Sequence, residues 1–93
     1  MSGNIDWTMV ITKAMKDQLA ANLLLASVTA DTAARRAKAD IAIAPLQDAF
    51  DLDEGTEVEI ALLKAWKKYR IALNRLPDQV GYPANINWPI APA

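Results

Sequence analysis

From Thr12 to about Leu52 the chain contains no glycine and a single proline, Pro45. A stretch of that length, rich in Ala, Leu, Lys, Arg and Gln, favours α-helix over the alternatives. Thr12 can open the helix as its N-cap, the hydroxyl accepting from an amide one turn in. Residues 1–11, which include Ile5, Asp6 and Trp7, read as a polar lead-in. Ile11, Met15, Leu19 and Leu23 recur at every fourth position and form one apolar stripe. Ser27, Val28, Thr29, Asp31 and Thr32 are mediocre helix formers, which predicts a bend or break between about 27 and 32. Ile43, Leu46 and Phe50 then return to one helical face. Pro45 inside that pattern removes a hydrogen bond to Ile41, so a kink or a fresh helix start is expected there.

The next signal is the turn. Gly55 offers backbone freedom, Thr56 is a natural N-cap, and Glu59 three residues on completes a capping box. The second helix is predicted from Glu57 to about Arg75, with Val58, Leu62, Trp66, Tyr69, Leu73 and Leu76 alternating steps of four and three. Glu57 and Glu59 sit near its N-terminus, whereas Lys64, Lys67, Lys68, Arg70 and Arg75 fill the later turns, an ordering that suits the helix dipole. Pro77 stops it. Gly81-Tyr82-Pro83 reads as a turn, and Asn85-Ile-Asn-Trp-Pro as an extended or polyproline-like segment. The expected architecture is therefore an all-α, antiparallel helical hairpin in one domain. Its first helix spans about 12–50 and its second about 57–75, within a hairpin region 12–75 followed by an extended Pro-rich C-terminal arm over 76–93.

Composition narrows the chemistry. At 93 residues, with 53% of them hydrophobic and many of those alanine, the chain makes helices more easily than it fills a core. The absence of both cysteine and histidine removes disulfides, Ser-His-Asp and Cys-His nucleophiles and the common zinc sets. Its three glycines are isolated, so no phosphate-cradling loop exists. A net charge of −1 announces neither a nucleic-acid binder nor an anionic-membrane binder. The apolar run Leu19–Ala26 is interrupted by Asn22 and is far shorter than the roughly 20 residues of a membrane span. No signal peptide is expected at the N-terminus.

Each charged cluster has a plain structural reading. The acidic turn Asp48, Asp51, Asp53, Glu54, Glu57, Glu59 lacks calcium-loop spacing, because a loop starting at Asp51 would need Gly and Glu where Thr56 and Leu62 stand. Trp66-Lys-Lys-Tyr-Arg has the residue types of a nucleic-acid patch, yet helical spacing puts Trp66 and Tyr69 on the apolar stripe and Lys67 and Lys68 elsewhere. Arg35, Arg36 and Lys38 with Asp31 and Asp40 read as surface ion pairs one turn apart. Nothing points to catalytic residues, a cofactor or a metal site. Trp7 and Trp88 stand in similar triplets, Ile5-Asp6-Trp7 and Ile86-Asn87-Trp88, as core plugs or as partner anchors. Leu24, Leu25, Ile41, Ile60, Leu63 and Ile71 lie off the main stripes, so the arm or another subunit is expected to cover them, with self-association through the helices as one solution.

Four blocks then carry a family resemblance: Ile43-Ala-Pro-Leu-Gln-Asp-Ala-Phe-Asp-Leu, Thr56-Glu-Val-Glu, Leu63-Lys-Ala-Trp-Lys-Lys-Tyr-Arg-Ile-Ala-Leu-Asn-Arg and Gly81-Tyr-Pro-Ala-Asn-Ile-Asn-Trp-Pro. Through about half of the chain they resemble, in order and spacing, the C-terminal helical region of tailed-phage tail fibre assembly proteins; Ile5 through Gln18 resembles the lead into it. Many members of that family carry a β-rich domain ahead of this region. The resemblance implies a non-enzymatic chaperone of the bacterial cytoplasm whose partner is a phage tail fibre protein that it helps to fold and trimerise. It also admits a permanent structural component or cap retained on the virion fibre and involved in host recognition. No cofactor, nucleic acid or membrane partner is implied. The residues expected to meet the partner are Trp66, Tyr69 and Arg70 on the second helix, and Trp88 with Pro89 in the arm.

Overall fold

A computed structural model describes the backbone of residues 2–92 and the side chains of residues 12–92. Two helices dominate it. Helix α1 runs from Ser2 to Asp51 and helix α2 from Glu57 to Asn74, with a single 3₁₀ turn at Leu76–Asp78; no strand occurs among the described residues. The chain is an all-helical hairpin of very unequal arms, with extents of 77 × 21 × 17 Å. Arg36 donates to Asn74 (Nη2···Oδ1 2.7 Å), and Arg70 donates to Asp40 (Nη1···Oδ1 3.0 Å). One turn forward on α1 is thus one turn backward on α2, which fixes the antiparallel register.

Helix α1 is longer and more continuous than its sequence predicts. It begins at Ser2 instead of at Thr12, so residues 2–11 are not a separate lead-in, and Thr12 lies within the helix instead of at its start. The side chains of Ile5, Trp7 and Ile11 lie outside the described residues. The expected break at 27–32 is also absent. The Thr32 hydroxyl donates to the Val28 carbonyl at 2.7 Å, and Asp31 pairs with Arg35 at 3.2 Å. Those side chains therefore serve the helix instead of competing with it. Val28, 8% exposed, is covered by the C-terminal turns. The helix also continues through Pro45 with no fresh start. Ile43 is buried and Leu46 half-buried on either side of the proline, and their packing against α2 offsets a cost of about 3 kcal/mol.

The turn between the helices follows a different plan from the one its glycine suggests. The left-handed residue is Asp53 (φ 61°), not Gly55. Its amide bonds the Phe50 carbonyl at 3.1 Å and the Glu54 amide bonds the Ala49 carbonyl at 2.8 Å, the paired bonds of a Schellman cap. Gly55 sits close to Ile60: a Cβ there would lie 3.3 Å from Ile60 Cγ1, which would have to shift by a few tenths of an ångström. The predicted capping box is present, with the Glu59 amide donating to Thr56 Oγ1 (3.2 Å) and the Thr56 amide to Glu59 Oε1 (3.0 Å).

The core gathers at the open end of the hairpin. Ala39, Tyr69, Leu73 and Leu76 are buried, with Trp66, Tyr82, Ile86 and Trp88 packed against them half-buried. Val58 at the start of the predicted α2 stripe is 69% exposed, while Leu63, predicted off the stripe, is 4% exposed. Tyr69, Leu73 and Leu76 of the predicted stripe are buried as expected. Beyond the 3₁₀ turn, residues 79–85 form bends and turns, and 86–92 belong to no helix or strand.

Candidate functional site

The C-terminal segment is held in place by side-chain to backbone bonds. The Gln79 amide clasps Asn87, donating from Nε2 to its carbonyl (2.9 Å) and accepting from its N–H (2.8 Å). Gly81 (φ +90°) turns the chain tightly enough that a Cβ would meet Asn85 Cβ at 3.2 Å, and the Asn85 amide bonds the Gly81 carbonyl at 2.9 Å. The Tyr82–Pro83 peptide is cis. Together these bonds fold residues 79–88 back along α1.

That return places Trp88 under Arg35, whose guanidinium carbon lies 4.2 Å from the ring centroid. Arg35 also pairs with Asp31 (3.2 Å) on its own helix. Desolvation pulls the Arg35 pKa down, but hydrogen bonding to Tyr69 and Asp31 outweighs it, and the net shift is upward from the ordinary value. The cation is thus permanent, and its stack on Trp88 is worth about 0.5–1 kcal/mol at a surface this open. Tyr69 meets Trp66 edge-on, ring centroids 5.7 Å apart. A chain of contacts therefore links Asp31, Arg35, Trp88, Tyr69 and Trp66.

Between α1 and the returning segment lies an open cleft of about 770 Å³. Leu24 and Val28, with Val80, Pro83 and Ile86, supply its apolar lining, Ser27, Asp31, Gln79, Asn85 and Asn87 its polar lining, and Trp88 also borders it. Among the described residues no group of three or more acidic side chains converges as a metal site would need. No helix is long and apolar enough to cross a membrane among the described residues.

The expected contact residues separate by burial. Trp88 and Pro89 are half-buried at the returning segment, and Trp66 is half-buried on α2. Tyr69 is 6% exposed and belongs to the core, whereas Arg70 is committed to Asp40 across the hairpin. The structure brings Trp66, Tyr69 and Trp88 to one cluster, with Arg70 a turn away. Sequence reading missed Arg35, which spacing presents only as half of an i,i+4 ion pair. Its contact with Trp88 spans two elements and leaves no periodic trace.

With this geometry in hand, the comparisons with known proteins converge. A family model described as Caudovirales tail fibre assembly protein, lambda gpK, matches residues 4–93. The chain is similar to the prophage tail fiber assembly protein homolog TfaR of Escherichia coli strain K12, 56% identical over 50 residues that make up 54% of this chain and 25% of that protein. It is similar to the tail fiber assembly protein of Escherichia phage lambda, 52% identical over 50 residues, with 54% and 25% of the two chains covered. A probable tail fiber assembly protein of Shigella phage SfV is 46% identical over 56 residues, covering 60% of this chain and 30% of that one. The aligned part thus spans about a quarter to a third of these relatives. No solved structure matches the chain.

Proposed function

The chain belongs to the Caudovirales tail fibre assembly protein family, and we propose that it acts as a non-enzymatic chaperone that binds a phage tail fibre protein and promotes its folding and trimerisation. The observation that carries this reading beyond the family is the cleft beside α1. It pairs an apolar wall with side-chain amides and a cation-capped tryptophan. Those are the features that receive an extended peptide: the side-chain amides of Asn85 and Asn87 can meet its backbone, with Gln79 committed to holding Asn87, and the apolar wall takes alternate side chains. Trp88 with Pro89, and the exposed part of Trp66, are the proposed contact points. Tyr69 supports them from the core, and Arg70 holds α2 in register. The work takes place in the cytoplasm of the host bacterium, where the fibre is made.

Co-expression with the cognate fibre protein tests the proposal. Soluble, trimeric fibre is expected to rise when this chain is present. Trp88→Ala should lower that yield while helix content is kept. If assembly survives the substitution and thermal stability collapses instead, Trp88 is a core residue and the cleft is not the contact site.

A further inference from the structure

The longest exposed feature of the molecule is the side of α1 turned away from α2. Steps of three and four residues run from Met15 through Leu19 and Leu23, along an alanine row that includes Ala30 and Ala37, to Ile41 and Ala44. Every residue on this strip is exposed and none is charged; Met15 is 65%, Leu23 61% and Ile41 74% exposed. Val28, Ala39 and Ile43, the buried residues of α1, lie on the opposite side. The strip has the 3.6-residue period of a face meant to be covered, and neither α2 nor the C-terminal turns reach it.

We propose that this strip is the interface for a second copy of the chain, paired antiparallel about a two-fold axis near Ala30. Three observations choose that occupant. Side-chain volume falls along the strip from Met15, Leu19 and Leu23 to Ala30, Ala37 and Ala44, with Ile41 as the one large residue in the alanine half. Antiparallel pairing sets Leu23 of one copy opposite Ala37 of the other, so large fills small there, and Leu19 opposite Ile41 in an apolar contact at each end; parallel pairing stacks Leu on Leu at both Leu19 and Leu23 and leaves most of the alanine half open. Charge gives the same answer. Lys13 and Lys16, with Asp17 beside them, leave the N-terminal end of the strip net positive, while Asp48 and Asp51 stand at its far end, just before the acidic turn. Antiparallel packing lays lysines beside carboxylates, whereas parallel packing brings two acidic turns together. Area is the third. A strip about 44 Å long and about 10 Å wide presents on the order of 450 Å² per copy, so a pair buries close to the ~1,000 Å² that specific interfaces need. The small residues let the helices approach closely, and an interface of this size gives a reversible dimer. The inference does not rest on the fibre reading.

The chain has no cysteine, so oxidative cross-linking reports the geometry directly. In a mixture of Leu23→Cys and Ala37→Cys chains, the cross-linked product should be the mixed dimer, and Leu23→Cys alone should cross-link poorly. Sedimentation equilibrium of the unmodified chain should show mass rising with concentration from 10.1 kDa toward twice that value. Ala33→Glu, at an exposed position that cannot disturb the hairpin core, should weaken association at least tenfold with unchanged helix content. Efficient Leu23→Cys self-cross-linking would mean a parallel pair and overturn the proposal. A monomer at a few hundred micromolar would overturn it as well. So would an Ala33→Glu chain that associates normally but no longer binds the fibre, since the strip would then belong to the fibre.

Discussion

The two halves of α1 are built from similar residues and end in different circumstances. Between Val28 and Asp51 the helix carries mediocre helix formers and a proline, yet it is bound by α2 and by the returning C-terminal segment. Residues 12–26 are the better intrinsic helix, rich in leucine and alanine, and every one of them is exposed. Local propensity and tertiary cover are therefore distributed inversely along one element. Propensity suffices to draw a helix, but most helical stability in water comes from burying a face. The covered half is expected to withstand sequence insults because partners hold it. The bare half should depend on whatever docks there.

Substitutions can probe that contrast, and the largest effect belongs to the core. Leu73, 1% exposed, sits where α1, α2 and the turns meet. Leu73→Ala should cost about 2–5 kcal/mol in urea unfolding. Pro45→Ala goes the other way: it restores the missing amide to the Ile41 carbonyl, and should stabilise by on the order of 1–3 kcal/mol in the same assay. No gain would show that the helix bends at Pro45 in a way the hairpin uses. Thr56→Ala removes the hydroxyl that accepts from the Glu59 amide and leaves the backbone bond to Glu59 Oε1, with an expected loss of about 1 kcal/mol and an earlier thermal midpoint. Leu23→Ala, at a residue 61% exposed, should change the stability of the dilute chain by less than about 0.5 kcal/mol. A cost near that of Leu73→Ala would erase the distinction between the halves.

What the sequence reveals follows the same division. Helix α2 is legible because its determinants are local: a capping box, a stripe of period 3.6 and a stop at Pro77. The antiparallel hairpin follows from its short turn. The continuity of α1 through 27–32 and Pro45 is not legible, because it depends on contacts from residues far along the chain. Asp53 takes the left-handed position through a cap formed with Ala49 and Phe50, and Gly55, the obvious candidate, instead lies close against Ile60. At the candidate site, the aromatic residues could be picked out by type. That Tyr69 is core and that Trp88 lies under Arg35 depends on how the last residues fold back, which no spacing encodes.

Amide hydrogen exchange, resolved along α1, tests this account most directly. In a dilute solution of the isolated chain, amides of α2 and of α1 beyond Val28 should exchange slowly, with protection near the global unfolding free energy. Those of residues 12–26 should exchange orders of magnitude faster and become protected as concentration rises. Uniform slow exchange along the whole of α1 at low concentration would contradict the account, because it would mean that the bare half of the helix is stable without cover.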